Sequence, residues 1–211
     1  MKGLEAVRAR IEAAGGDPDR ITIVAVTKGF PVEVVRDALA AGLVDIGENY
    51  AQELVAKAAA VGDSTAPRWH FIGRLQRNKI RSIAHLVTLW QSVDRLAVGE
   101  VIARHAPGAA VLVQIDVTGE PQKGGCAPGA VEGLVADCQG LGLDVRGLMA
   151  VGPFGDPEAA RPGFRLLRES ADRLGLPERS MGMTGDFEVA VGEGSTMVRI
   201  GTALFGVRPV S

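Results

Sequence analysis

A single (β/α)8 barrel with an extra N-terminal helix is the fold this sequence predicts. Apolar, strand-like runs alternate with helix-like stretches almost without interruption, and the strand-like runs number eight. Such alternation implies a parallel sheet with right-handed crossovers. Eight strands suit closure, and 211 residues lie near the bottom of the roughly 200 to 400 that such barrels use. An open doubly wound sheet is the competing arrangement. No low-complexity linker divides the chain, so residues 1–211 are expected to form one domain.

Each element has its own warrant. Leu4, Val7 and Ile11 make a narrow helical stripe at the N-terminus. The first strand is the apolar run Ile21 to Lys28. A helix follows from Pro31, which suits a first helical turn, to Ala41, with Gly42 as its stop. Asp45 to Asn49 is the second strand, and Tyr50 to Val61 a helix ended by Gly62. Arg68 to Gly73 is the third strand, with a helix running to His85. Val87 to Val93 is the fourth, followed by a helix from about Asp94 to His105. Ala109 to Val117 is the fifth and most apolar strand, and its helix spans Ala130 to about Leu141. Asp144 to Gly152 is the sixth, with a helix from Pro162 to Leu174. Arg179 to Met183 is a weak seventh, followed by a short helix from Phe187 to Val191. Thr196 to Thr202 is the eighth. Gly119 to Gly129 and Gly152 to Gly163 are expected as long loops on the active face.

Composition excludes several function classes. Hydrophobic residues at 46% supply a sizeable core, and a formal charge of −2 gives no field for nucleic acid or an anionic membrane. No apolar run approaches the roughly 20 residues that span a bilayer, and the charged N-terminus lacks a signal-peptide core. Cys126 and Cys138 form no metal-ligand pattern, which favours a reducing cytosol over a disulfide framework. His70, His85 and His105 have no metal-site spacing.

Only five of the 23 basic residues are lysines, and Lys28 stands apart. It closes a buried strand, where low dielectric disfavours the ammonium form and leaves an amine able to form a Schiff base with a carbonyl. The others have plainer readings. Lys57 lies four residues after Glu53, on what reads as a solvated helical face. Lys79 sits in the cationic stretch Arg74 to Arg81, another solvated face, and Lys123 in a Gly-rich loop. Catalytic and binding groups of such barrels collect at the carboxyl ends of the strands. Lys28, Asn49, Asp116 and Thr202 all fall at or near those ends. Closure would put strand eight beside strand one and bring Arg199 to Thr202 to the mouth that holds Lys28. Strands seven and eight offer hydroxyls and glycines in Ser180-Met-Gly-Met-Thr-Gly185 and Arg199-Ile-Gly-Thr202, suited to a phosphate. An amine beside such a cradle points to a phosphorylated aldehyde.

The motifs Ala25-Val-Thr-Lys28, Gly47-Glu-Asn-Tyr-Ala-Gln-Glu53, Trp69-His-Phe-Ile-Gly-Arg-Leu-Gln-Arg-Asn-Lys79, Gly147-Leu-Met149, Ser180-Met-Gly-Met183 and Gly194-Ser-Thr-Met-Val-Arg-Ile-Gly-Thr-Ala-Leu-Phe-Gly206 occur in one order. By them the chain, from about residue 4 to Arg208, resembles the pyridoxal phosphate homeostasis proteins, single-domain relatives of the alanine racemase barrel. The resemblance implies that Lys28 holds pyridoxal 5′-phosphate as a Schiff base. It further implies that Ser180, Gly201 and Thr202 surround the phosphate, that Arg199 faces the pyridine nitrogen, and that Asn49 lies near the linkage. It implies a monomeric cytoplasmic barrel acting in vitamin B6 balance, without an established reaction, and pyridoxal-dependent apo-enzymes as partners. A weak amino-acid racemase and a cofactor-free Schiff-base aldolase are the alternatives. This chain departs from the family in two ways: Gly185 stands before a single Asp186, and the loops around 62–67 and 153–162 are short.

Overall fold

A computed structural model describes residues 2–62 and 67–208. Four residues of the short 62–67 connection, 63–66, thus lie outside the described residues. Eight parallel strands close into a barrel in sequence order. The strands are β1 (Thr22–Val26), β2 (Asp45–Glu48), β3 (Arg68–Phe71), β4 (Val87–Val93), β5 (Ala110–Gln114), β6 (Asp144–Met149), β7 (Glu178–Met183) and β8 (Met197–Ile200). Closure is made by β1 against β8, with Val24 opposite Arg199 and Ala25 opposite Ile200. The helices α1 (Lys2–Ala13), α2 (Val32–Ala40), α3 (Ala51–Val61), α4 (Arg77–Ile83), α5 (Leu96–His105), α6 (Val131–Gly140), α7 (Arg161–Arg173) and α8 (Phe187–Gly192) accompany the strands. Short 3₁₀ turns lie in the 119–129 and 152–163 loops.

Alternation along the strands divides the apolar residues into two bodies. Ile23, Ala25, Val198 and Ile200 face outward and pack with helix residues such as Val35, Ala38, Leu54 and Leu204. Val24, Leu89, Leu112, Met149 and Met197 face inward and form a small second cluster. That interior also holds polar side chains, described below.

Several strands end earlier than the sequence suggests. β1 stops at Val26, so Lys28 sits on the turn beyond it, although Thr27 N still donates to Gly47 O. β2 stops at Glu48, one residue before Asn49. β5 stops at Gln114, and Asp116 accepts from the amides of Thr118 and Gly119, shaping a turn instead of facing the mouth. β8 stops at Ile200. Thr202, expected at that strand's end, opens a ninth helix, α9 (Thr202–Phe205). Four residues are too few for a hydrophobic period to show in sequence. The Phe205 ring meets Phe30 edge-on at 5.6 Å, tying α9 to the turn that carries Lys28.

Candidate functional site

At the carboxyl ends of the strands lies a cavity of about 730 Å³ lined by Lys28, Asn49, Thr184, Arg199, Gly201 and Thr202, among others. The 119–129 and 152–163 loops reach the same mouth through Lys123 and Phe154. Five of the six residues predicted from sequence therefore meet at one opening, brought there by the β1–β8 seam and by the end of β2.

Lys28 is half-buried. Burial pulls its amine below the usual lysine range, aided by the positive charges of Arg208 and Arg199 and opposed by Glu48. Its turn is held from behind. Thr27 Oγ1 donates to Glu48 Oε1 at 2.6 Å, Lys57 Nζ donates to Glu48 Oε1 and to Thr27 O at 2.6 Å each, and Gly29 N donates to Glu53 Oε2 at 2.8 Å. Lys57 is thus not on a solvated face; it is 6% exposed and ion-paired inside the shell between β1, β2 and α3. Burial pushes the Glu48 carboxyl up, and its hydrogen bonds from Lys57 and Thr27 pull it back.

Asn49 sits just beyond β2, with Gly73 packed on its backbone. A Cβ at position 73 would lie 2.1 Å from Asn49 O. The Asn49 Oδ1 atom is buried with no hydrogen-bond partner, and an acceptor left unpaired in a buried position is costly unless something fills its place.

Arg199 is 4% exposed, and among the described residues it forms no salt bridge, feeling only the field of Asp186. Its Nη1 donates to Ser180 O at 2.8 Å and to Ser180 Oγ at 2.7 Å, and its Nη2 to Ala150 O at 2.7 Å. The strand-end salt bridge that would explain this arginine blandly is replaced by neutral acceptors. Burial lowers it to about 10, so it stays charged at neutral pH.

Ser180 differs from its expectation. It is fully buried, and its hydroxyl is committed to Arg199 and to Gln91, so it lies beneath the mouth instead of lining it. The cause is a bulge. Gly182, at φ +94°, breaks the β7–β8 register between Ser180 and Met183 and turns Met183, Thr184 and Gly185 to the cavity. Thr184, whose Oγ1 accepts from Ala203 N at 3.4 Å, supplies the hydroxyl at the mouth. Asp186 holds this turn through its Oδ1, which accepts from Met183 N at 2.6 Å, so one acidic residue suffices before α8.

The remaining candidates also find places. His70 packs inside the barrel at 3% exposure, while His85 and His105 are exposed. Arg74 and Lys79, expected on a solvated face, line the rim of the mouth. Burial pushes the Cys126 thiol up to about 11, which makes it a poor nucleophile. Arg208 at the rim and Gln91 inside the barrel carried no sequence signal, and the Glu53–Lys57 spacing pointed to a solvated face instead of the buried place Lys57 takes. A threonine following Met183 was a usable one.

The arrangement suits a phosphorylated aldehyde: an amine biased toward its neutral form, a buried fixed cation, and glycines and hydroxyls on two adjacent loops. The volume falls within the few hundred to roughly 1,000 Å³ common for small-molecule sites. Residues 4–209 match the family model for the alanine racemase N-terminal domain. The pyridoxal phosphate homeostasis protein of Pseudomonas aeruginosa is 44% identical over 210 residues, covering 96% of this chain and 91% of the relative. The solved structure of PipY from Synechococcus elongatus PCC7942 without PLP superposes with a TM-score of 0.87 at 32% identity, covering 97% of this chain and 99% of that one. The same protein with PLP bound superposes at 0.83, also at 32% identity, covering 95% and 100%.

Proposed function

The chain belongs to the pyridoxal phosphate homeostasis protein family, within the alanine racemase N-terminal domain barrels, and on that footing we propose that it is a pyridoxal 5′-phosphate carrier acting in vitamin B6 balance. The observation that carries this reading is the opening of Lys28, its amine lowered by burial, into the same cavity as Arg199 and the Thr184–Gly185 and Gly201–Thr202 loops.

In this reading Lys28 holds the cofactor's aldehyde carbon as a Schiff base. Thr184, Gly185, Gly201 and Thr202 grip the phosphate through hydroxyls and backbone amides, with Arg208 adding charge at the rim. Ser180 serves the site from below by holding Arg199. Arg199 points its guanidinium at the ring nitrogen, and the unpaired Oδ1 of Asn49 accepts from the bound group. When bound, the cofactor supplies an electron sink whose strength depends on ring protonation. Arg199 stays charged and accepts no proton, so it keeps the ring nitrogen unprotonated and the sink weak. That fits storage and delivery better than turnover. The same reading makes the molecule a monomer of the cytoplasm that passes cofactor to pyridoxal-dependent apo-enzymes. The two free cysteines fit a reducing compartment, and no helix among the described residues is long and apolar enough to cross a membrane.

The test is spectroscopic. Protein mixed with pyridoxal phosphate should develop a visible band, borohydride should fix the adduct on the peptide holding Lys28, and Lys28→Ala should abolish both. A band of normal intensity in Lys28→Ala would refute the covalent assignment.

A further inference from the structure

Five buried side chains cross the barrel beneath the cavity. Arg199 Nη1 donates to Ser180 Oγ at 2.7 Å, and Ser180 Oγ donates to Gln91 Oε1 on the facing wall at 2.6 Å. Gln91 Nε2 then donates to His70 Nδ1 at 2.7 Å, and His70 Nε2 donates to Asp45 Oδ1 at 2.9 Å. The five residues come from β8, β7, β4, β3 and β2, and none is more than 8% exposed.

The bonds run in one direction from end to end. A guanidinium has no acceptor and a carboxylate no donor, and between them Ser180, Gln91 and His70 each accept on one side and donate on the other. Gln91 Nε2 can only donate, so the imidazole meets it with Nδ1 as acceptor and turns its Nε2–H to Asp45. Turned over, Gln91 would leave the Ser180 hydroxyl's own hydrogen without its acceptor and face Met197 Sδ with an oxygen. Its second N–H is also engaged, against Met197 Sδ at 3.1 Å. At the far end Arg68 grips Asp45 in a fork, at 2.8 and 2.5 Å. Burial pushes the Asp45 carboxyl up, but the hydrogen bonds from His70 and Arg68 hold it below its usual range.

We propose that this relay orients the Arg199 guanidinium, making Gln91, His70 and Asp45 positioning residues for the cation that meets the cofactor ring. Arg199 has only three acceptors among the described residues, two of them on Ser180. Ser180 is aimed in turn by Gln91. A planar fork holds its direction only while its acceptors hold theirs, so a group at the opposite end of the barrel sets what the cofactor meets. The consequence for the cofactor rests on the function proposed above; the orientation of Arg199 does not.

Two variants test it. Gln91→Met keeps the volume and removes the relay, and Asp45→Asn alters only its remote end. Nitrogen NMR of the cofactor-free wild type should show His70 as the neutral Nε2–H form, with separate Nη signals for a restrained Arg199. In both variants those Nη signals should merge, pyridoxal phosphate affinity should fall by about threefold or more, and the visible band should shift in the protein that still binds. An Nδ1–H or doubly protonated His70 in the wild type would overturn the proposal. So would unchanged Nη signals and an unchanged band in Gln91→Met or, should that variant not fold, in Asp45→Asn. A wild type that takes up no pyridoxal phosphate refutes the carrier function instead, and the Nη signals alone then decide the relay.

Discussion

Lys28 owes its chemistry to three environments at once: the apolar wall that desolvates it, the positive charges of Arg208 and Arg199, and the opposing field of Glu48. Below the pH at which the amine loses its proton it cannot attack an aldehyde, so cofactor uptake should rise with pH and level off below the ordinary lysine value of 10.5. Arg208→Gln removes one of the charges that lower Lys28. The rise should then move to higher pH, as followed by stopped-flow absorbance with pyridoxal phosphate. An unshifted profile would assign the lowering to burial and Arg199 alone. The place of Lys28 at the cavity was legible because it ends an apolar run. Lys57 was misread for a related reason: a Glu53–Lys57 pair at i, i+4 looks the same on a wet helix face as it does when the lysine bends inward to a buried carboxylate. Ser180 was assigned to the mouth because the Gly182 bulge, which resets the facing of every residue after it, has no mark in a string of letters beyond the glycine itself.

At the scale of elements, the site is a seam between strand ends held by what lies outside them. α3 sends Lys57 and Glu53 into the β1–β2 gap, where they bond the Thr27–Gly29 turn. Lys57→Met should cost about 3 kcal/mol, because it leaves the Glu48 carboxylate buried without its ion-pair partner. Denaturant unfolding of the cofactor-free protein measures this. A loss under about 0.5 kcal/mol, the usual effect of a surface change, would show that Glu48 is relieved by other means. Glu48→Gln in the Lys57→Met background should recover part of the loss, since the stranded charge is then gone. Element boundaries were legible to within a few residues wherever a long period or a Pro–Gly pair marked them. The α9 helix was not, because it is a consequence of how the chain leaves β8 and not of any pattern within its four residues.

For the whole molecule, a body with a formal charge of −2 presents a strongly cationic opening. Among the described residues, Lys28, Arg74, Lys79, Lys123, Arg199 and Arg208 line the cavity against one carboxylate, Asp94. Low-dielectric walls concentrate such a field and speed the approach of anions. Pyridoxal phosphate association should therefore slow by about threefold or more between roughly 0.01 and 0.1 M salt, over which the screening length falls from about 30 to 10 Å. Arg74→Gln should flatten that dependence without moving the cofactor band. Salt-independent uptake would mean that the rim cations are inert toward the ligand. The barrel as a whole was the most legible feature, since eight alternations leave few other ways to bury so many apolar strands. The polar file inside it was the least legible, since His70, Gln91 and Ser180 lie in three distant segments that only closure brings together.

The β1–β8 seam has one more effect, on timing. Lys28 leaves the ribosome about 170 residues ahead of Arg199, and the two become neighbours only when the last strand zips onto the first. A half-made chain therefore exposes an amine with no grip for the ligand's anionic tail. In the proposed site the vitamin can be gripped only once β8 has been made and paired with β1, so its capture would report that the barrel has closed.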